Sequence, residues 1–255
     1  MHVKPLGMKN YGSIGHLPNS RMGSGDHSCD EGQYRICCEK VRDRHDEVFV
    51  EEKLDGSNVG VAKLKGEIIP LMRAGYRATD SFRLQHKVFH KWVMIKDNFE
   101  RFHETLREGE RIAGEWLMQA HGTMYDLPHE PFVAFDLMIG SHRATRDEFY
   151  KRLNGLFIVP TLIHRGGSLS VEDALSKLGD KGQHGAIDPI EGVVYRVERK
   201  ITKSGERTPF VNFLAKYVRP EKKDGIYLSD EGGVEQIVVN FQHGKKLVDL
   251  NGDWL

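Results

Sequence analysis

Apolar positions along the chain change rhythm near residue 48. Upstream, a stretch rich in Gly, Ser, Pro and His (Asn10-Tyr11-Gly12-Ser13-Ile14-Gly15-His16-Leu17-Pro18) has no period, and predicts an ordered but irregular arm over about residues 1–45. From Val48, apolar runs of strand length follow one another. Val48–Lys53, Ser57–Leu64 and Glu67–Met72 are separated by Asp55-Gly56 and Lys65-Gly66, which predicts an antiparallel meander. Between Ser81 and Arg107, the residues Phe89, Trp92, Val93, Phe99, Phe102 and Leu106 recur at helical intervals, so a helix is expected there. Strand-like runs return at Arg111–Met118, Pro131–Met138 and Leu156–Pro160. Thr145 with Glu148 reads as a capping box that opens a helix through Leu153, and Ser170 with Asp173 opens another that ends before Gly179. Strands are expected last at Glu191–Val197, Phe210–Val218 and Gln236–Phe241. Runs of strands broken by a few helices predict an α+β fold with mainly antiparallel sheets flanked by helices. Neither an internal repeat nor a linker is visible, so residues 1–255 are expected to form one domain.

Composition narrows the class without identifying it. The 255 residues carry 37 Lys+Arg against 37 Asp+Glu, with 39% hydrophobic and 29% charged residues, which excludes wholesale disorder. No apolar run approaches the roughly 18–20 residues of a membrane span, and Met1–Gly7 lacks a signal-peptide core. A cytoplasmic protein without membrane contact is expected. Cys29, Cys37 and Cys38 are odd in number and lack the paired spacing of a zinc site, so reduced thiols are expected. A net charge of zero gives no global sign of a polyanion partner.

Local chemistry begins at Lys53-Leu54-Asp55-Gly56. A lysine that ends an apolar strand and meets a turn is partly desolvated and fixed in position, as a nucleophilic amine must be. Such an amine starts near pKa ~10.4, so burial or a nearby cation is expected to lower it.

Further segments follow: Arg73-Ala74-Gly75, Gly114-Glu115-Trp116-Leu117, Phe132-Val133-Ala134-Phe135-Asp136-Leu137, Glu191-Gly192-Val193-Val194-Tyr195 and Phe213-Leu214-Ala215-Lys216-Tyr217-Val218-Arg219. In order and type they resemble motifs Ia, III, IIIa, IV and V of the covalent nucleotidyltransferases, with Lys53–Gly56 as motif I. That superfamily comprises ATP-dependent DNA ligases, RNA ligases and mRNA capping enzymes, and the likeness runs from about Glu51 to Arg219. The resemblance implies an ATP-grasp-like nucleotidyltransferase domain in which Lys53 attacks the α-phosphate of ATP and holds AMP as a phosphoramide. It further implies that Glu52, Asp55, Gly56 and Asn58 surround the nucleotide, Arg73 touches sugar or phosphate, and Glu115 binds ribose hydroxyls. Phe135 would stack on adenine, Glu191 would help hold Mg2+ or Mn2+, and Lys216 would contact the α-phosphate. In-line displacement at a polyanion asks for this inventory of cations, metal and aromatic face.

The branch is argued from three features. Ser57-Asn58 after Gly56 resembles RNA ligases of the second phage type, whereas DNA ligases and capping enzymes usually carry Arg at that place. Tyr11–Leu17 and Gly122-Thr123-Met124-Tyr125 are similar to small bacterial and phage RNA ligases. The 36 residues after Arg219 are too few for an appended OB-fold domain. The expectation is therefore an ATP-dependent RNA ligase that joins 5′-phosphate to 3′-hydroxyl ends of RNA or RNA-containing duplexes as a monomer. A minimal DNA ligase, a capping-type guanylyltransferase and a catalytically silent nucleic-acid-binding relative are the alternatives. Motif V departs from the family pattern, because Tyr217-Val218-Arg219 stands where a second lysine is common. From Arg196 to Lys223 nine Lys/Arg stand against three Glu, a stretch expected to contact the polynucleotide backbone.

Overall fold

The computed structural model describes residues 3–203, 206–223, 225–229 and 236–248. Two five-stranded sheets organise the chain. The first has the spatial order Gly15–His16, Glu206–Val218, Gly192–Lys203, Asp46–Lys53, Leu162–Gly166. The second runs Glu67–Met72, Ser57–Leu64, Glu110–Trp116, Phe132–Ile139, His142–Arg143. Every pairing in both sheets is antiparallel except that of Gly15–His16 with Glu206–Val218. The expected α+β class with mainly antiparallel sheets is thus observed.

Asp46–Lys53 belongs to the first sheet and Ser57–Leu64 to the second. The turn Leu54-Asp55-Gly56 is therefore the crossing between them. It is also the turn beside the candidate nucleophile, so a single short connection ties the lysine's position to both sheets.

The helical region departs from expectation. The helix anticipated over Ser81–Arg107 is two helices, Leu84–Val93 and Lys96–Thr105, broken where Ile95 adopts an extended conformation. Asn98 Nδ2 donates to Trp92 O at 2.8 Å and satisfies a carbonyl at the break. The bend lets both helices contribute to one aromatic cluster. Phe89 lies 5.2 Å from Trp116, Trp92 5.7 Å from Phe132, and Phe102 4.9 Å from Phe157 between ring centroids.

Other differences have local causes. The arm contains a helix, Glu31–Cys38, opened by a reciprocal capping box between Asp30 and Gln33. Leu156–Pro160 forms only isolated bridges, Val133 with Ile158 and Asn154 with Phe157, and the edge strand is instead Leu162–Gly166. Pro160 supplies no backbone donor for a ladder. Gln236–Phe241 is not one strand, since Gln236–Ile237 and Phe241–Gln242 join different small sheets. Thr145 and Ser170 do cap the helices Arg146–Leu153 and Val171–Leu178 as expected. Ser204-Gly205, the tip of the basic stretch, lies outside the described residues. Among the described residues, no helix is long and apolar enough to cross a membrane.

Candidate active site

A cavity of about 620 Å³ is lined from both sheets. Glu52, Lys53, Asp55, Gly56, Asn58, Arg73, Glu115, Phe135, Glu191 and Lys216, all singled out in the sequence, line it together. Register explains the convergence. In the first sheet Gly192 is opposite Lys53, so Glu191 stands beside the lysine, and Val194 is opposite both Glu51 and Lys216. A Cβ on Gly192 would collide with the Tyr217 carbonyl, so this close strand contact requires glycine. In the second sheet Asn58 is directly opposite Glu115, which puts the two side chains on one face.

Phe135 owes its direction to a β-bulge. Ala113 pairs with Asp136 and Gly114 with Ala134, leaving Phe135 as the extra residue. The bulge lets Phe135 line the cavity half-buried while Asp136 is fully buried beneath it. Tyr11 meets the Phe135 ring edge-on at 5.0 Å, and its hydroxyl donates to Asp136 Oδ2 at 2.9 Å.

Lys53 Nζ lies 2.5 Å from Glu191 Oε2. Burial favours the neutral amine, but Glu191, Glu115 and Asp55 together outweigh it and raise the Lys53 pKa above its ordinary value. This corrects the expectation of a lowered pKa: the charges facing the amine are mostly negative. Lys216 behaves in the opposite way, with burial first and then Lys53 and Arg73 lowering its pKa. The Glu115 carboxyl is pushed up to about 8, chiefly by burial, with Glu191 and Asp55 adding to the shift against the attraction of Lys53. Its Oε1 accepts from the Gly56 amide at 3.1 Å.

Two carboxylates bear different loads from those expected. Asp55 Oδ2 accepts from Gly122 N at 3.0 Å and Thr123 Oγ1 at 3.1 Å, so it clamps the crossing turn to a neighbouring loop. Glu52 Oε2 accepts from Gln183 N at 3.1 Å, and its carboxylate packs against Gly182. Strand alternation places it on the opposite side from Lys53. Both residues line the cavity, yet these oxygens are occupied by protein groups.

Four cations of the basic run, Arg196, Arg199, Arg219 and Lys222, are consumed internally, while the side chains of Lys203 and Arg207 lie outside the described residues. Arg196 pairs with buried Asp136, Arg199 with Asp43 and Asp46, and Arg219 with Asp180. Lys222 is buried with Nζ 2.5 Å from Thr123 Oγ1 and 2.9 Å from Pro189 O. Arg219, paired with Asp180, does not line the cavity. Lys200 and Lys223 remain exposed.

The cavity contains residues that periodicity could not find. Tyr11, Gly12 and Ile14 come from the arm. Glu51 and Arg146 form a buried ion pair, Arg146 Nη1 also donates to Phe135 O at 2.7 Å, and Tyr150 OH donates to Glu51 Oε1 at 3.0 Å. At another part of the lining, Ser57 Oγ donates to Gln85 Oε1 at 2.6 Å, with His86 and His121 nearby in the same wall.

The described residues hold no cluster of three or more His, Cys, Asp or Glu suited to a metal ion. The donor set nevertheless fits a divalent cation of the Mg2+ kind, which is commonly bound through one or two carboxylates, waters and substrate phosphates. Glu191 is the carboxylate placed to provide such a ligand.

Two mainly antiparallel sheets thus bring a lysine, a set of acids and an aromatic face to one cavity. The chain belongs to the RNA ligase family, whose model matches residues 46–218. No curated protein sequence matches it. Among solved structures it is similar to an ATP-dependent DNA ligase from Aquifex aeolicus, at 15% identity and a TM-score of 0.50, covering 82% of this chain and 49% of that one. It is also similar to an archaeal ATP-dependent RNA ligase, at 22% identity, TM-score 0.40 and coverage of 69% and 44%. A Naegleria gruberi RNA ligase variant with AMP and Mn is similar at 14% identity, TM-score 0.49 and coverage of 83% and 60%. The chain thus spans about half the length of the first of these structures.

Proposed function

We propose that this chain is an ATP-dependent RNA ligase working through a lysyl-AMP intermediate on Lys53. The observation that carries the reading is the convergence of all ten sequence-selected residues on one cavity, with the Lys53 amine against Glu191. Family membership and the AMP and Mn of a similar ligase point the same way.

In the first step the Lys53 nitrogen bonds to the α-phosphorus, the bridge to the β-phosphate breaks, and pyrophosphate leaves. The amine must first lose a proton, which Glu191, Glu115 and Asp55 oppose in the resting site and which a cation bound at Glu191 would favour. Lys216 and Arg73 offset phosphate charge, Asn58 and Glu115 face the ribose, and Phe135 offers its ring to adenine. A divalent cation, Mg2+ or Mn2+, would be held by Glu191 and neutralise phosphate charge. AMP then passes to a 5′-phosphate end, and a 3′-hydroxyl of RNA displaces it. We assign the chain a single catalytic unit, a monomeric state and a cytoplasmic setting.

Intact mass after incubation with ATP and Mg2+ tests the reading. The protein should gain one adenylyl group, and Lys53→Ala should gain none. No adduct, or one that survives Lys53→Ala, removes the lysyl-AMP mechanism.

A further inference from the structure

Lys53, Arg73 and Lys216 all line the cavity, close enough for each of the other two to act on Lys216. Two of these cations already have a carboxylate partner. Glu191 sits on Lys53, and Asp26, from the N-terminal arm, sits with Oδ1 3.6 Å from Lys216 Nζ. The second contact has no counterpart among the motifs, and the arm is built around it. Gly15–His16 pairs in parallel with the strand of Lys216, and Leu17 N donates to Lys216 O at 2.8 Å. His16 is almost fully buried, with Nε2 3.0 Å from Asp26 Oδ2 and Nδ1 2.7 Å from Ser20 Oγ. Ser20 Oγ in turn accepts from Val218 N at 2.9 Å, and Gly23 N donates to Asp26 Oδ2 at 3.0 Å. The aspartate is therefore fixed from several sides while keeping one oxygen toward the lysine.

We propose that Asp26 is a resident counter-ion of Lys216, a positioning residue on the arm whose hold on the ammonium is exchanged for nucleotide phosphate when ATP binds. The inference rests on the reading of the cavity as an ATP site. A polyphosphate carries several charges against one on Asp26, so it wins the exchange. The exchange still weakens binding, because a native contact is given up and a carboxylate is left near a polyanion. Asp26 thereby holds nucleotide affinity below what the three cations alone would give. Once AMP has left Lys53, the same carboxylate can take back Lys216.

The experiment compares the full chain with Asp26→Asn and Asp26→Glu. Equilibrium binding of an ATP analogue with a methylene bridge between the α- and β-phosphates needs no turnover, and KM and kcat for Lys53 adenylylation are measured beside it. Asp26→Asn should tighten analogue binding and lower KM by about 2–5-fold with kcat within about 1.5-fold, the scale of a partly exposed ion pair. Asp26→Glu should stay near the parent. On a Lys216→Gln background, Asp26→Asn should change nothing, because its effect runs through that ammonium. Unchanged or weaker analogue binding in Asp26→Asn, a fall in kcat, or an equal effect without Lys216 overturns the inference. Absence of analogue binding in all variants does so too. Analogue binding that responds to Asp26→Asn without any Lys53 adduct would remove the ligase chemistry and leave the counter-ion role standing.

Discussion

Replacing Glu115 by Gln removes a titratable carboxyl from the cavity wall while keeping its shape and its acceptor for the Gly56 amide. In the folded protein this carboxyl retains its proton up to about pH 8, against an ordinary value of 4.5, mainly because it is buried. The consequence for stability has a definite sign. Below pH 4.5 both folded and unfolded forms are protonated. Between there and about 8 the unfolded chain releases a proton that the folded chain keeps, so stability falls as pH rises. About 1.4 kcal/mol per pH unit over roughly 3.5 units sets an upper bound near 5 kcal/mol. Allowing for the partial opening of the side chain to solvent reduces this to about 2–3 kcal/mol. Urea unfolding of the parent and Glu115→Gln at about pH 5, 6.5 and 8 reads it as a difference, in which titrations outside this cluster cancel. The variant should gain about 2–3 kcal/mol on the parent between the first and last pH. A gap that stays constant, or that widens toward acid, would refute the claim that Glu115 is buried and protonated at neutral pH.

Phe135→Ala should raise KM for ATP roughly 5–100-fold, the range implied by about 1–3 kcal/mol per stacked base, while circular dichroism and unfolding midpoint stay close to the parent because the ring is only half-buried. Arg146→Met should strand the buried Glu51 carboxylate and free the Phe135 carbonyl, costing about 3–5 kcal/mol in chemical denaturation. An unfolding midpoint equal to the parent's would show that this pair is not a buried, mutually dependent contact.

The lysine, its turn and the ordered companions up to Lys216 could be read from the sequence, because strands have a period of two and a site on strand ends keeps its residues within short segments. Capped helices were equally visible at Thr145 and Ser170, where side chain and backbone donor are three residues apart. What the local pattern could not contain was decided by distance in space. The break at Ile95 accompanies a contact of Phe102 with Phe157, and no short window of sequence includes both. Phe135 faces the cavity because one extra residue enters a ladder, a matter of register between strands. The arm lacks periodicity because it is held by the strand of Lys216 rather than by its own repeat, so Tyr11, His16 and Asp26 become legible only once that strand is in place. The basic run shows the same limit in reverse. Its net charge is plain in the sequence, but Asp136, Asp43, Asp46 and Asp180, which absorb much of it, come from segments brought alongside by the fold. Charge sign is a property of composition, whereas whether a charge faces solvent or a partner is settled by tertiary packing.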